Sequence, residues 1–517
     1  MKNRSFINTH LAVAACICTL GLYGCSSKTD GKTDIFGNTT ELYGYVRDAS
    51  GTAMQGVVVS DGYTCTATDA AGRYTLDRNP SAYYVYYSIP ADCRVEVDPS
   101  TGLPLFYQRL SKSQSQYDFT LTRQPVETKF RMLAVGDPQV TTTAQVYRFE
   151  QETVADIKSY VETETDLPTY AITLGDIVGN KWELYPNMVK AMSSSKTGGI
   201  PVFQTIGNHD HEFPQVTDVA AQRQYESCFG PVNYSFTRGD VHFVSMDDII
   251  HGATASDDYK GGFLDWQYEW LKQDLSYVPK DKMVILCIHI PFRNSFSASG
   301  GGYYDEVLAL LAQFREAHVF AAHTHNNNTS YVHTSGGKRI REHIVGTSCG
   351  AWWHGTICTD GAPNGYGIYE FDGTTITNSL YKGTRCDESF QIRLYNASDE
   401  FTGGGSAVYR FGVTGENQVV ANIWNADERW TFDVYENGVK SSSGLKRMTM
   451  IDAWAKAFFY GYCKVTSSSY GNSYAHMYYY TRTTPGSTVR VVARDSYGNE
   501  FEQSVITSTT DYPNNYY

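Results

Sequence analysis

Three patterns of apolar and polar positions follow one another along the chain. From Leu42 to about residue 124, short alternating runs are separated by turns rich in Gly and Asp, which predicts a small antiparallel β-sandwich. From about residue 125 to 340, short apolar strands alternate with segments of helical spacing, which predicts a layered α/β domain. Beyond residue 341 period-two alternation returns, as between Thr488 and Arg494, and predicts a C-terminal β-domain.

The central region carries the clearest predicted elements. Its predicted strands cover residues 132–135, 171–174, 202–206, 241–246, 283–288 and 318–322. Its predicted helices cover residues 144–163, 184–192, 263–275 and 306–316. The whole chain then divides into a leader (1–25), a polar linker (26–40), an N-terminal β-sandwich (41–124), an α/β domain (125–340) and a C-terminal β-domain (341–517).

The leader has the features of an export signal. Lys2 and Arg4 precede an apolar run that is too short to span a bilayer and that ends at small residues. The Leu-Tyr-Gly-Cys stretch that ends at Cys25 resembles the lipobox of bacterial lipoproteins, which makes Cys25 the expected lipidated residue. An ordinary cleaved signal peptide is the alternative, and Cys16 is a weaker competing site. We therefore expect an exported protein anchored by lipid in the cell envelope, on its periplasmic or surface face.

Composition narrows the class of protein. A chain of 517 residues with 41% hydrophobic and 19% charged residues is globular and has several domains. Its net charge of -13 argues against nucleic-acid binding, which depends on Lys and Arg neutralising phosphates. Eight of the 11 Cys lie beyond the leader without C-x-x-C spacing, so a cysteine metal cluster is not expected. The sequence does not decide whether the disulfides Cys65–Cys93 or Cys349–Cys358 form or whether these cysteines are free thiols.

Polar residues that can bind metals follow the predicted strands of the α/β domain. Loops after neighbouring strands converge at the carboxyl ends of an open α/β sheet, where such proteins bind ligands. The set combines carboxylate, amide and imidazole groups without thiolate, which suits Zn, Mn or Fe. Two cations need a bridging carboxylate, and Asp176 is the expected bridge. The metal ligands predicted in this way are Asp137, Asp176, Asn208, His289, His323 and His325.

In chain order these segments resemble the motifs of the calcineurin-like metallophosphoesterase family, D-x-H, G-D, G-N-H-[DE], H and G-H-x-H. The resemblance covers roughly residues 129–327, and the segment 44–76 resembles the carboxypeptidase-regulatory-like β-domain of exported enzymes. It implies a four-layer α/β/β/α sandwich, flanked here by two all-β domains, with two divalent metal ions. One ion would be held by Asp137, Asp176 and His325, and the other by Asp176, Asn208, His289 and His323.

The resemblance also assigns roles at the third motif. His209 would protonate the leaving oxygen rather than bind metal, and Asp210 would orient its imidazole. The resemblance makes Gln139 the seventh predicted metal ligand, and here the chain departs from the family, because an amide oxygen replaces the imidazole of the family's His. The last motif begins with Ala322 instead of Gly.

Apart from the resemblance, Trp352, Trp353 and His354 lie in a segment with the composition of a substrate-facing loop, for which packing between domains is the alternative. Arg293 is expected to contact a phosphate oxygen of the substrate, and a surface salt bridge is its alternative.

The expected function is hydrolysis of a phosphomonoester or phosphodiester by attack of a metal-bridging hydroxide. The substrate would be a small molecule or a phosphoester linked to lipid or glycan, and the membrane would be contacted through the lipid anchor alone. The competing hypothesis is a catalytically silent surface lipoprotein that binds glycan or a protein partner through its β-domains. Metal content separates the two hypotheses, because a silent scaffold would purify without stoichiometric metal.

Overall fold

A computed structural model describes residues 40–252, 258–292, 302–413, 415 and 417–507 of the chain. The predicted lipidation site Cys25 and the predicted phosphate contact Arg293 lie outside these residues. Within them, no helix combines the length and the apolar character needed to cross a membrane. All eight cysteines of the described part are free thiols, so neither considered disulfide is formed.

The N-terminal domain consists of two small sheets that pack through alternating side chains. The strands are β1 (Glu41–Asp48), β2 (Val58–Ser60), β3 (Cys65–Ala67), β4 (Arg73–Asp77), β5 (Tyr84–Tyr87), β6 (Tyr107–Arg109) and β7 (Phe119–Leu121). The sheet orders are β4-β1-β7 and β3-β2-β5-β6. Along β1 buried and partly exposed residues alternate, with Leu42 and Val46 fully buried, as the period-two pattern predicts.

The central domain contains most of the helices of the described chain. Its strands are β8 (Lys129–Val135), β9 (Thr169–Thr173), β10 (Val202–Phe203), β11 (Tyr234–Arg238), β12 (Val241–Ser245), β13 (Ile249–His251), β14 (Tyr259–Gly261), β15 (Met283–Cys287), β16 (Glu316–Ala321), β17 (Asn328–His333), β18 (Arg339–Ile344), β19 (Gly365–Asp372) and β20 (Thr375–Gly383). Its helices are α1 (Thr143–Phe149), α2 (Ala155–Thr163), α3 (Tyr185–Ala191), α4 (Asp218–Ala221), α5 (Arg223–Phe229), α6 (Asp265–Ser276) and α7 (Tyr304–Leu311). A π-helical stretch joins α1 to α2.

Two mixed sheets form the centre of this domain, in the orders β10-β9-β8-β19-β20 and β11-β12-β15-β16-β18-β17. Alternate residues of β8 face opposite sides: Phe130 packs in the apolar cluster that contains Phe243 of the second sheet, while Leu133 packs with α1 to α3. On the second sheet Leu286 packs with α6 and α7. The layers are therefore helix, sheet, sheet and helix, which confirms the expected four-layer sandwich.

Two strands that follow residue 340 belong to the first sheet of the sandwich. Strand β19 pairs antiparallel with β8, and β20 pairs with β19, so the first sheet is completed by residues up to Gly383. Residue 340 itself lies inside β18 of the second sheet. Alternating strands without helices look the same whether they join a preceding sheet or begin a new one, so the pattern alone did not predict this pairing.

The C-terminal domain again contains two four-stranded sheets, β21-β22-β26-β25 and β24-β23-β27-β28. The strands are β21 (Arg393–Asn396), β22 (Gln418–Asn422), β23 (Thr431–Glu436), β24 (Val439–Lys440), β25 (Lys446–Arg447), β26 (Met477–Thr481), β27 (Val489–Arg494) and β28 (Glu500–Ser504), with helix α8 (Ala453–Lys456) between β25 and β26. The alternation noted near Thr488 corresponds to β27, whose Val489 and Val491 are buried.

Candidate metal centre and its cleft

The expected ligands all lie in loops that follow core strands. Asp137 follows β8, Asp176 follows β9, Asn208 follows β10, His289 follows β15, and His323 and His325 follow β16. Because these strands run in the same direction within each sheet, their carboxyl ends meet at one edge of the sandwich. These six predicted ligands therefore meet at that edge, as the argument from strand ends predicted.

The four residues expected to bind one ion converge on the Nε2 atom of His289. That atom lies 3.0 Å from Asn208 Oδ1, 3.3 Å from Asp176 Oδ2 and 3.2 Å from His323 Nδ1. Ligand atoms of Asp176, His289 and His323 all lie within 4.8 Å of one another. The opposite ring nitrogen of His289, Nδ1, is 2.7 Å from the Leu174 carbonyl oxygen, which holds the proton there and leaves Nε2 to face the ligands.

The residues expected to bind the other ion adjoin this group. Asp137 Oδ1 lies 3.7 Å from His325 Nε2, and Gln139 donates from Nε2 to Asp176 Oδ2 at 3.0 Å. His325 places Nδ1 3.0 Å from the Gly350 carbonyl oxygen, so its Nε2 again points into the site. Burial lowers the pKa of His325 to about 4, which keeps the ring neutral and able to ligate a metal at neutral pH. Asp176 contacts members of both groups, as a bridging carboxylate must.

Unpartnered polar atoms show that these residues suit divalent cations. The acceptor atoms Asp137 Oδ1 and Gln139 Oε1 are buried and have no hydrogen-bond partner. Burial and the neighbouring Asp176 raise the pKa of Asp137, since two buried carboxylates repel each other when no cation compensates them. Buried groups of this kind are costly unless a ligand satisfies them. A mixed oxygen and nitrogen donor set of this composition fits two divalent metal ions.

Backbone strain is concentrated at the same place. Of the twelve residues other than Gly with positive φ in the described chain, eight lie in the ligand loops and the loop beside them: Asp137, Gln139, Asp176, Asn180, His323, His325, Trp352 and Trp353. Left-handed backbone at such residues costs free energy and persists where the surroundings enforce it. The surrounding structure therefore holds these loops in a backbone conformation that is unfavourable locally but brings the site residues together.

Two glycines allow the loops to approach closely. A Cβ atom on Gly207 would lie 2.3 Å from the Asp176 backbone nitrogen, and one on Gly175 would lie 2.4 Å from His289 Nδ1. Both distances are far below contact distance, so neither position accepts a side chain without displacing a ligand. The glycines of the G-D and G-N-H-D motifs are thus required by packing around the ligands.

His209 is held by a different partner than the sequence indicated. Its Nδ1 lies 3.0 Å from Asn180 Oδ1, and its ring lines the cleft beside the ligands. The carboxylate of Asp210 instead accepts from the backbone N–H groups of Gly207, Ile177 and Val178. The expectation that Asp210 orients His209 is therefore wrong, because Asp210 is fully occupied in joining two ligand loops.

Asn180 is the functional residue that sequence reasoning missed. It stands four positions after Asp176, at the end of the loop that begins with the G-D motif. A polar residue at that spacing can return to the same cleft edge, which was the available signal. An amide oxygen accepts from Nδ1–H and so leaves Nε2 of His209 to face a leaving group.

The cleft next to the ligands has a volume of about 540 Å³ and is lined by two domains. The central domain contributes Gln139, Asp176, His209, Tyr259, Trp352 and the residues 323–328. The C-terminal domain contributes Thr449, Ser469 and the residues 472–476. That domain therefore builds part of the wall of the candidate active site.

The expected substrate contacts that the structure describes, Trp352, Trp353 and His354, have different surroundings. Trp352 lines the cleft and stacks on His325 with ring centroids 4.3 Å apart. Trp353 is buried, donates from Nε1 to the Pro138 carbonyl oxygen and packs under Arg148, so it supports the loop instead of facing substrate. His354 is exposed, packs edge-on against Tyr470 and does not line the cleft. Neighbours in sequence diverge here because the loop turns through left-handed backbone.

Family models match three consecutive parts of the chain. "Calcineurin-like phosphoesterase" matches residues 130–327, "N terminal of Calcineurin-like phosphoesterase" residues 40–124, and "C terminal of Calcineurin-like phosphoesterase" residues 342–501. The chain belongs to the calcineurin-like phosphoesterase family. It is accordingly a metal-dependent phosphoesterase, and enzymes of this family use two divalent metal ions. In this phosphoesterase, the loops with the predicted ligands lie within the match to residues 130–327. Much of the cleft wall lies within the match to residues 342–501.

Solved structures resemble this phosphoesterase at low identity. A structure of PhoD is 11% identical with a TM-score of 0.33, covering 88% of this chain and 85% of that one. Purple acid phosphatase PPD1 from yellow lupin (Lupinus luteus) seeds is 12% identical with a TM-score of 0.34 and coverage of 68% of each chain. The NAD nucleotidase NadN of Haemophilus influenzae is 10% identical with a TM-score of 0.28, covering 50% and 49%. Comparison with curated proteins gave no match.

Proposed function

We propose that this phosphoesterase is exported and lipid-anchored, and that it hydrolyses a phosphomonoester or phosphodiester of a small molecule, a lipid or a glycan. The observation that carries the hydrolytic part is the convergence of Asp176, Asn208 and His323 on His289 Nε2, with His209 beside them. Export is supported by Lys2, Arg4 and the apolar run before Cys25 in the sequence.

The bound metals would supply two things, activation of the attacking water and neutralisation of phosphate charge. Asp137, Gln139, Asp176 and His325 would hold one ion, and Asp176, Asn208, His289 and His323 the other. Gln139 fits this role because its Nε2 is bound to Asp176 while Oε1 is unpartnered. An amide oxygen is a harder donor than imidazole, which shifts preference at that position toward Mn or Mg.

His209 would deliver the proton that the leaving group needs. When the bond between phosphorus and the leaving oxygen breaks, that oxygen gains negative charge and accepts a proton from Nε2 of the imidazolium. Nδ1–H continues to donate to Asn180 Oδ1 and keeps the ring aimed at the cleft. His209 also donates from its backbone N–H to Asp176 Oδ1 at 2.9 Å, which ties the acid to the bridging carboxylate.

The alternative of a silent binding protein predicts an incomplete site. Instead, six of the seven expected ligand types are present, and Gln139 still offers an oxygen donor at the seventh position. The ring nitrogens of His289 and His325 are oriented by carbonyl groups, and the strained loops converge. These observations support hydrolysis over a purely structural role for the core.

The test is hydrolysis of paired chromogenic phosphomonoester and phosphodiester substrates by the purified full-length protein. Metal is removed by chelation and then restored singly as Mn, Zn, Fe or Mg, with metal content measured in parallel. We expect metal-restored turnover in the wild type and in His333→Ala, an exposed histidine outside the cleft, and loss of both metal and turnover in His323→Ala. Absence of both bound metal and turnover under all conditions would contradict the proposal.

A further inference from the structure

A separate pocket of about 200 Å³ lies where the central domain meets the C-terminal domain. Its walls come from the π-helical stretch between α1 and α2, the loop between β18 and β19, the segment after β20 and the start of β21. We call it the junction pocket. None of the described residues that line it also lines the cleft at the metal centre. The junction pocket is therefore a second cavity, distinct from the candidate active site.

Two arginine side chains line the junction pocket without a carboxylate partner. Arg385 is exposed, and its Nη2 donates to the Gln151 carbonyl oxygen at 2.9 Å, so the rest of its guanidinium group is open to solvent. Arg393 is only 7% exposed and makes no hydrogen bond from its guanidinium group to any residue that the structure describes. Two positive charges at one small cavity repel each other unless an anion compensates them.

The accessible edge of the Arg393 guanidinium group belongs to two of its nitrogens. Nη1 is enclosed by protein and is out of reach of a ligand. Nε and Nη2 also lack a partner in the described chain, but they are not among its enclosed atoms, so they retain accessible surface. Because the side chain is nearly buried and lines the junction pocket, that surface faces the pocket. A ligand there can accept hydrogen bonds from Nε and Nη2.

Aromatic rings fix the position of this guanidinium group. Its central carbon lies 4.1 Å from the ring centroid of Trp454, 5.4 Å from that of Phe390 and 5.6 Å from that of Trp424. Rings of this kind stabilise the cation through its face, whereas its N–H groups point outward in the guanidinium plane. The rings thus hold Arg393 in place and leave its N–H donors to another partner.

The acidic side chains around the junction pocket have partners of their own. Both oxygens of Glu152 accept from Arg148, at 2.9 and 3.2 Å. Asp156 accepts from Lys382 Nζ at 2.6 Å. Asp452 caps α8 and forms no ion pair with the pocket among the described residues. In a chain of net charge -13 the junction pocket is thus a locally positive place, which attracts an anion.

We propose that the junction pocket binds a small oxyanion between Arg385 and Arg393, with phosphate preferred over carboxylate. A tetrahedral phosphate offers oxygens to two guanidinium groups that approach from different segments, whereas a planar carboxylate pairs best with one. The hydroxyls of Thr356 and Thr384 line the same pocket and can rotate to donate. The volume suits a small ion, because sites for larger ligands measure roughly 300 Å³ or more.

The first experiment titrates inorganic phosphate into the full-length protein by calorimetry at constant ionic strength. The protein is measured with metal bound and after chelation, which removes the metal centre as a competing phosphate site. We expect the chelated wild type to bind one phosphate, and Arg385→Gln to bind it about tenfold more weakly or less, because charge-assisted hydrogen bonds are lost. Arg385 is exposed, so its replacement does not disturb a buried core.

Two control variants separate a specific site from general attraction. Arg315→Gln removes an exposed arginine of the central domain outside the junction pocket and should bind phosphate as the wild type does. Arg385→Lys keeps the charge but loses the planar fork, and we expect an intermediate affinity. No phosphate binding by the chelated wild type, or equal binding by Arg385→Gln and the wild type, would overturn the proposal.

The second experiment tests the class of anion and the independence from catalysis. Sulfate should compete with phosphate, and acetate should bind at least about tenfold more weakly. A preference for acetate would overturn the assignment to phosphate. Arg385→Gln should hydrolyse p-nitrophenyl phosphate with the kcat/KM of the wild type, since Arg385 does not line the cleft. If the wild type hydrolysed no ester but bound phosphate through Arg385, the junction pocket would stand and the proposed hydrolytic function would fail.

Discussion

The two flanking β-domains have similar secondary structure but different relations to the metal centre. The N-terminal domain packs on the core through contacts such as Trp270 Nε1 to Ser60 Oγ and the Tyr86 hydroxyl to the Asn233 carbonyl oxygen. None of its described residues lines the cleft. The C-terminal domain instead places residues 472–476 directly in the cleft wall. Domains with similar β patterns thus differ in whether they contribute to the cleft wall, according to where each domain docks.

Substitution of His209 should have the largest effect on kcat. This effect should not involve either flanking domain, because His209 lies in the central domain. We expect His209→Ala to lower kcat by about 10²–10⁴-fold, because the leaving oxygen loses its proton donor. Metal content should stay at the wild-type value, since His209 is not among the converging ligands. The effect should be larger for esters of alkyl alcohols than for p-nitrophenyl phosphate, whose leaving group needs less protonation. A loss that was the same for both kinds of leaving group would argue against this role.

Paired tryptophan changes compare the two domain junctions directly. Trp352 stacks on His325 and packs edge-on against Tyr470 of the C-terminal domain, whereas Trp266 contacts Tyr63 of the N-terminal domain at 4.6 Å. We expect Trp352→Ala to weaken metal affinity by about 10–100-fold, because the ring that positions a ligand is removed. Trp266→Ala should leave metal affinity unchanged in the same metal titration. A matching loss in both variants would remove the contrast between the two junctions.

A change at the N-terminal junction should affect stability without affecting catalysis. Ser60→Ala removes the acceptor of the buried Trp270 indole N–H and should cost about 1–3 kcal/mol of unfolding free energy. Denaturant unfolding measures that cost, and kcat/KM of the folded variant should equal that of the wild type. A change in kcat/KM at full occupancy of the native state would mean that the N-terminal domain is coupled to the cleft.

Lowering the pH should remove the contribution of the Glu436 carboxylate to the stability of the C-terminal domain. Burial tends to raise the pKa of Glu436, but hydrogen bonds from Ser487, Thr483 and Tyr480 outweigh it and hold the pKa below the ordinary value of 4.5. A lowered pKa stabilises the folded state above pH 4.5, and this contribution is lost as the pH falls below that value. We expect Glu436→Gln to lower thermal stability at pH 7 and the difference from the wild type to shrink below pH 4. A difference independent of pH would show that the charge of Glu436 plays no part.

Much of the fold followed from the sequence because the signals are local. The alternation around Leu42 predicted β1, and the buried positions Trp270, Leu271 and Leu275 lie in α6 at the spacing that predicted a helix. The proximity of the predicted ligands also followed, because each of them lies just after a strand and parallel strand ends meet at one edge. These inferences needed only short segments and one rule of sheet geometry.

Side-chain direction and long-range docking could not be predicted in the same way. Asp210 and His209 are adjacent in sequence, yet Asp210 turns into the backbone of two loops while Asn180 holds the imidazole. Trp352 and Trp353 are also adjacent, and only Trp352 faces the cleft. Such choices depend on the local φ and ψ values and on which unpaired N–H groups lie nearby, which short sequence segments do not encode alone.

The sequence by itself determined the layered core, the metal-binding residue types and their meeting at the strand ends, because period and order along the chain control these properties. Only the tertiary structure decided that β19 and β20 complete the first sheet and that His476 reaches a cleft whose ligand His323 lies about 150 residues earlier. Contacts of that kind arise when separately patterned segments dock and bury a shared surface. Their partners are selected by shape and by unsatisfied hydrogen-bonding groups, which appear only once the domains are folded together.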